Sequence, residues 1–189
     1  MDRRCDVNLF DIEKVKTQED KVEKIVQPEI DWLDLPISII STERRDICQQ
    51  NIEILKAQNG LEDVASNAEK GNFGEMLTDI DMREQGYERI SNLRVTDIDQ
   101  KGHQGIDGVY YNPKTNTYAI VESKYGSSQL GETLDGIQMS WEWIDARLND
   151  AVGEKRANEI REQYTQNPQK VELFVANVNG LDKVTYKKV

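Results

Sequence analysis

The chain has 189 residues, 37% hydrophobic and 31% charged, enough for one medium domain or for a compact domain with a smaller helical attachment. A net charge of −11 weighs against a nucleic-acid partner, because phosphate contacts draw on Lys and Arg. Two cysteines and one histidine exclude a four-ligand structural zinc site unless carboxylates help, so a bound metal is expected to be hard and oxygen-ligated.

The N-terminal stretch Met1-Asp2-Arg3-Arg4-Cys5-Asp6 leads into no apolar segment of the kind a secretory signal needs. The longest apolar candidate, Leu35 to Ile40, is broken by Pro36 and falls far short of the roughly 18 residues of a membrane helix. The expectation is a chain with no membrane-spanning segment, which leaves its cell only if something else carries it. Cys5 and Cys48 lie in a polar stretch and are expected to be reduced thiols, with a disulfide as the alternative.

Residues 1–69 read as a helical N-terminal segment interrupted around Pro28 and Pro36, serving as linker, delivery or docking element. Within it Glu43 to Ala57 carries Ile47, Ile52, Ile54 and Leu55 in a helical stripe, with Ser41 or Thr42 available as N-cap. The texture changes at Gly71, and residues 70–189 read as the principal domain. Gly71-Asn72-Phe73-Gly74 leads into a helix over 75–85 that Gly86 stops. Strands are predicted at 87–95, 105–111 and 117–125, the last two joined by Asn112-Pro113-Lys114-Thr115-Asn116. Helices follow at 137–149 and 154–166, then strands at 171–178 and 184–188 around the turn Asn179-Gly180. This order predicts an α/β (α+β-like) fold, a central mixed β-sheet flanked by helices. The part from residue 70 carries net −4 against −7 for residues 1–69, and metal-bound acids would bring it closer to neutral.

The chemically informative segment is Gly105-Ile106-Asp107-Gly108 with Val121-Glu122-Ser123-Lys124. Alternation along a strand puts Glu122 and Lys124 on one face and Val121 and Ser123 on the other. If Asn112 pairs with Thr117 across a four-residue loop, the same register sets Asp107 opposite Glu122. Two opposed carboxylates on apolar strands repel unless a cation lies between them or one is protonated. A divalent ion resolves the conflict, and magnesium suits it because it keeps several waters and takes few carboxylates; manganese or zinc are the alternatives. Lys124 then has the right charge to orient a water and offset charge growing on a phosphoryl group. Glu75, on the preceding helix, is placed to add a third carboxylate.

A helical Glu, an Asp after a turn and Glu-x-Lys on the next strand together resemble the PD-(D/E)xK, restriction-endonuclease-like nucleases, with Ile106-Asp107 in place of proline-aspartate. More narrowly, Gly105-Ile106-Asp107-Gly108-Val109-Tyr110, Val121-Glu122-Ser123-Lys124-Tyr125-Gly126 and Gln138-Met139-Ser140-x-x-Trp143-Ile144 resemble C-terminal nuclease domains of bacterial polymorphic toxins, including those of contact-dependent growth inhibition. The resemblance spans about Gly71 to Val189. It implies catalytic roles for Glu75, Asp107, Glu122, Lys124 and Gln138, with Asp107, Glu122 and Glu75 as metal ligands. It also implies delivery by another domain or system into the cytoplasm of a target bacterium, cleavage of DNA there, and a cognate immunity protein in the producer. Three readings stand beside it: an RNase acting on tRNA, a repair or restriction nuclease, and a catalytically inactive nuclease fold used for binding.

Further expectations attach to particular residues. Ser123 faces away from Glu122 and is structural. Gln138, at the start of the long helix, bonds a phosphate or orders water near Lys124. His103 is a loop residue in reach of a substrate backbone. Trp141 and Trp143 cannot share a helix face, so one is core and the other meets a base or a partner. Arg147, Lys155, Arg156 and Arg161, with Lys101 and Lys124, form the expected phosphate-contacting set.

Overall fold

A computed structural model describes residues 42–102 and 104–189. Pro28, Pro36, Ser41, Cys5 and His103, and the expectations attached to them, lie outside the described residues. Among the described residues four α-helices flank a five-stranded mixed sheet, an α+β arrangement. The helices are α1 (Thr42–Gln58), α2 (Asn67–Glu84), α3 (Trp141–Val152) and α4 (Glu154–Gln166). The strands of the main sheet are β1 (Glu88–Arg89), β2 (Gly108–Asn112), β3 (Thr117–Tyr125), β6 (Val171–Asn179) and β7 (Lys183–Lys188), in that spatial order. A separate hairpin pairs β4 (Glu132–Thr133) with β5 (Gly136–Ile137). No helix among the described residues is long and apolar enough to cross a membrane.

β2 and β3 are antiparallel with Asn112 opposite Thr117, the register that a four-residue loop dictates. Asn112 Oδ1 accepts from Lys114 N at 3.0 Å, which closes the turn locally. β3 runs parallel to β6, reached through α3 and α4, and β7 returns antiparallel. Alternation then sorts the side chains into two cores. Val109 and Ile120 pack with Ile144, Leu148 and Ile160 of α3 and α4. Tyr110, Ala119, Val121 and Ala176 pack with Met82 on the opposite face, towards α2.

Helix α2 begins at Asn67, well before the expected 75, because Ser66 and Glu69 form a capping box. Ser66 Oγ accepts from Glu69 N at 3.1 Å, and the Glu69 carboxylate accepts from Ser66 N at 3.1 Å. Gly71 and Gly74, read from sequence as a lead-in, are therefore inside the helix. At Gly74 α2 passes close to β3: a Cβ there would lie 3.1 Å from Ser123 Oγ. Helix α1 joins the same body, with Ile47, Ile54 and Ala57 buried beside Phe73 and Met76 of α2.

Two expected strands are shorter than their apolar content suggests. The segment 87–95 pairs only at Glu88 and Arg89, and the ladder of β2 starts at Gly108 rather than Gly105. Between them the backbone is held by side chains instead: Asn72 Nδ2 donates to Ile98 O at 2.8 Å and to Gln100 O at 2.6 Å. Gly108 is required for space, because a Cβ would lie 2.6 Å from Tyr110 Cζ. Gly108→Ala is expected to cost about 1–3 kcal/mol, the usual penalty for overpacking a core, by displacing the buried Tyr110 ring. An unchanged urea midpoint in this variant would show that the ring yields freely.

Candidate active site

The β2–β3 ladder ends with Gly108 opposite Val121, and the same register carried one step past the strand would bring Asp107 level with Glu122. Asp107 is fastened there by its side chain, with Oδ2 accepting from Ser123 N at 2.8 Å. Glu122 is 3% exposed, an unusual depth for a carboxylate. Lys124, two residues on and on the same face, places Nζ 2.9 Å from Glu122 Oε1. Gln138 closes the group by bridging both: Nε2 donates to Glu122 Oε1 at 3.0 Å, and Oε1 accepts from Lys124 Nζ at 3.1 Å. Gln138 Oε1 also accepts from Gly131 N at 2.7 Å.

Gln138 reaches this position by a route the periodicity does not show. It precedes α3, which starts only after the Ser140 cap, and follows the two-residue strand β5. Gln138 N donates to Gly131 O at 2.9 Å, and Met139 adopts φ of 68°, a left-handed conformation rare outside glycine. That turn lets Met139 enter the core while the neighbouring amide meets Glu122 and Lys124.

Glu75, half-buried on α2, lies close enough for its charge to act on Asp107. Burial pushes the Asp107 carboxyl well above the usual carboxylate range, and the negative charges of Glu75 and Glu122 push it further. The Ser123 N–H and the Lys124 ammonium pull the other way without cancelling this. Three carboxyl groups thus meet one ammonium, a crowding that either protonation of one acid or a divalent cation relieves. Among the described residues no three His, Cys, Asp or Glu side chains form a ready metal cage. Asp107, Glu122 and Glu75 thus offer carboxylate oxygens without a closed cage, and a cation there would depend on water for most of its ligands.

Asp107→Asn isolates this charge. Because the folded-state pKa is raised, ionised Asp107 costs stability above its unfolded-state pKa, and the cost grows until pH passes the folded value. The amide keeps an acceptor for Ser123 N and removes the charge. In EDTA at neutral pH the variant should melt at or above the parent's temperature, each kcal/mol recovered appearing as about 2–4 °C. Added magnesium should raise the parent's melting temperature more than the variant's. A drop of several degrees in EDTA would mean that Asp107 is not strained by its neighbours.

Beneath Asp107 lies a second polar cluster with no counterpart in the sequence reading. Asp79 of α2, 6% exposed, accepts from the guanidinium of Arg89 and the hydroxyl of Tyr110. Gln50 of α1 donates to Asp79 Oδ2 at 2.8 Å and also to Val95 O at 2.7 Å. Arg94 Nε stands 3.4 Å from the same carboxylate. Arg89 Nη2 donates to Asp107 O at 2.6 Å, so the hub grips the backbone of a candidate site residue. Burial disfavours the Arg89 charge, yet Asp79 more than offsets this and holds its pKa above the ordinary value. The one sequence cue was an aspartate flanked at helical spacing by Met76 and Met82, both buried.

Ser123 faces α2, its Oγ 3.1 Å from Thr78 Oγ1 and away from Glu122. Trp143 is core at 2% exposure, whereas Trp141 stacks on Tyr164 of α4 at 3.6 Å between ring centroids. The arginines named as phosphate-contacting candidates, for each of which a salt-bridged surface role is the default, all bond within the fold. Arg147 pairs with Asp135 at 2.9 Å, Arg156 donates to Ile90 O at 3.2 Å, and Arg161 donates to Asn149 Oδ1 at 2.8 Å. Compared with known proteins, the chain matches no family model, no curated protein and no solved structure.

Proposed function

We propose that the chain is a metal-dependent nuclease of the PD-(D/E)xK, restriction-endonuclease-like type, acting on DNA, with tRNA as the alternative substrate. The observation that carries this is the buried Glu122 sharing one face with Lys124, both held by Gln138, one ladder step from Asp107. Asp107 and Glu122 would hold a divalent cation, with Glu75 as a third carboxylate. Bound there, the cation would polarise a phosphoryl oxygen and lower the pKa of a water.

The protein's own residues supply the rest. Lys124 presents an ammonium whose position is fixed from two sides, so little reorganisation is needed when charge grows on the phosphoryl oxygens. Gln138 keeps Lys124 and Glu122 at hydrogen-bonding separation and anchors the Gly131 loop over them. The Ser123 N–H steadies Asp107.

The three motifs that resemble polymorphic-toxin nucleases extend the proposal to a toxin domain. Such a domain is delivered into a neighbouring bacterium and neutralised in the producer by an immunity protein. Incubating the protein with supercoiled plasmid and with total tRNA, in magnesium and in EDTA, tests the chemistry. Magnesium-dependent cleavage of either is expected, and cleavage that survives EDTA would overturn the mechanism. Expression without a partner tests the context: it should kill the host, and harmless expression of a protein that cleaves in vitro would overturn the toxin reading alone.

A further inference from the structure

We infer that the cleft beside the Asp107 turn seats an unpaired guanine next to the scissile phosphate, a reading that rests on the nuclease proposal above. The cleft has a volume of about 420 Å³ and is lined by Leu93, Ile106, Asp135, Ala146, Arg147 and Asp150, among others. This lies in the size range of small-ligand pockets. It adjoins the candidate site at two points. Ile106 immediately precedes Asp107, and Asp135 belongs to the β4–β5 hairpin that leads into Gln138.

The lining selects the class of ligand. The lining holds two carboxylates, Asp135 and Asp150, against the one guanidinium of Arg147, so the cleft is a poor seat for a phosphate and a good one for a neutral group rich in N–H donors. Arg147 and Asp150 are three apart on α3 and share a helix face. The exposed Ala146 beside them leaves that face flat, and Leu93, 56% exposed, offers an apolar surface to a planar ring. Arg147 is already oriented, paired with Asp135 at 2.9 Å and lying 4.5 Å from the Trp143 ring centroid.

A carboxylate beside a guanidinium offers paired acceptors next to donors. Among the four bases guanine alone matches this with two adjacent N–H groups, at N1 and N2, beside the O6 acceptor. Charge-assisted bonds of this kind are the strong ones. They use the Watson–Crick edge, so the guanine must be unpaired: in a single strand, a loop, or extruded from a duplex. The cleft would thus set where the cut falls, while Glu122 and Lys124 make it.

The probe is a labelled single-stranded oligothymidylate carrying one central guanine, compared with the same strand carrying hypoxanthine, which lacks the 2-amino group. Binding is read by fluorescence anisotropy in EDTA, and cleavage of the same strands is then read in magnesium. Guanine should bind roughly tenfold more tightly, as expected for one hydrogen bond to a charged acceptor. Asp150→Ala should bring the two strands within about twofold. Asp150 is exposed near the C-terminal end of α3, where a negative charge opposes the helix dipole, so its removal should leave the circular dichroism unchanged. Equal binding of both strands by the parent, or a preference that survives Asp150→Ala, overturns the guanine seat. Cleavage without base preference overturns the seat and leaves the nuclease reading standing. Guanine preference without cleavage overturns the nuclease reading alone, and neither binding nor cleavage overturns both.

Discussion

Lys124→Ala should lose roughly 10²-fold or more in cleavage rate while still binding divalent metal, the loss typical when one preorganised charge-stabilising donor is removed. The change removes the ammonium 2.9 Å from Glu122 Oε1 and leaves every carboxylate in place. Calorimetric titration with magnesium should therefore give binding comparable to the parent, or tighter, because a competing positive charge has gone. Glu122→Ala should behave differently, with metal affinity and cleavage falling together. Lys124→Arg provides the control for charge alone: its planar fork cannot reproduce the contacts to Glu122 and Gln138, so rescue should be partial at best. Full activity in Lys124→Ala would remove this residue from the mechanism.

Arg89→Met should be the most destabilising single change of those considered, at about 3–5 kcal/mol, the cost of stranding one partner of a buried ion pair. Arg89 and Asp79 side chains are each 4% exposed, and the guanidinium serves four acceptors: Asp79, the Tyr110 hydroxyl, Leu93 O and Asp107 O. Gln50, Arg94 and Tyr110 would still contact Asp79, which places the effect towards the lower end of that range. The double variant Arg89→Met with Asp79→Leu should lose less than the sum of the two single changes, because it strands neither charge. Urea denaturation of the four proteins gives the cycle. A single-variant loss below 1 kcal/mol would mean that water or neighbouring groups fully replace the guanidinium.

The hairpin of β2 and β3 was legible because its information is local. Asn112 and Pro113 mark a turn, loop length sets register, and alternation then assigns Glu122 and Lys124 to one face. Other features depend on neighbours distant in sequence. The glycines of α2 look like a helix lead-in, and only packing against Ser123 explains one inside the helix. Gln138 was singled out, yet its placement depends on a hairpin of two-residue strands and a left-handed Met139, neither of which has a periodic signal. The Asp79 hub draws on α1, α2, β1 and the loop that follows β1, and no short pattern couples these. Helix α1 falls in the stretch read as a linker, delivery or docking element because it carries no chemical motif, and the burial of Gln50 against Asp79 has no local signal.

The parallel pairing of β3 with β6 fixes a timetable for the molecule. β2 and β3 can close into a hairpin soon after they leave the ribosome. β6 follows only after both helices α3 and α4, and until it arrives β3 has an open edge where Glu122 will later stand beside Val175. Long-range parallel pairings of this kind form late, since chain closure costs entropy before the contacts repay it. A nascent chain would hold Asp107, Glu122 and Lys124 in sequence but not in register with a finished sheet. The face that Glu122 and Lys124 share is therefore complete only once the last part of the chain, from α3 to β7, has been added.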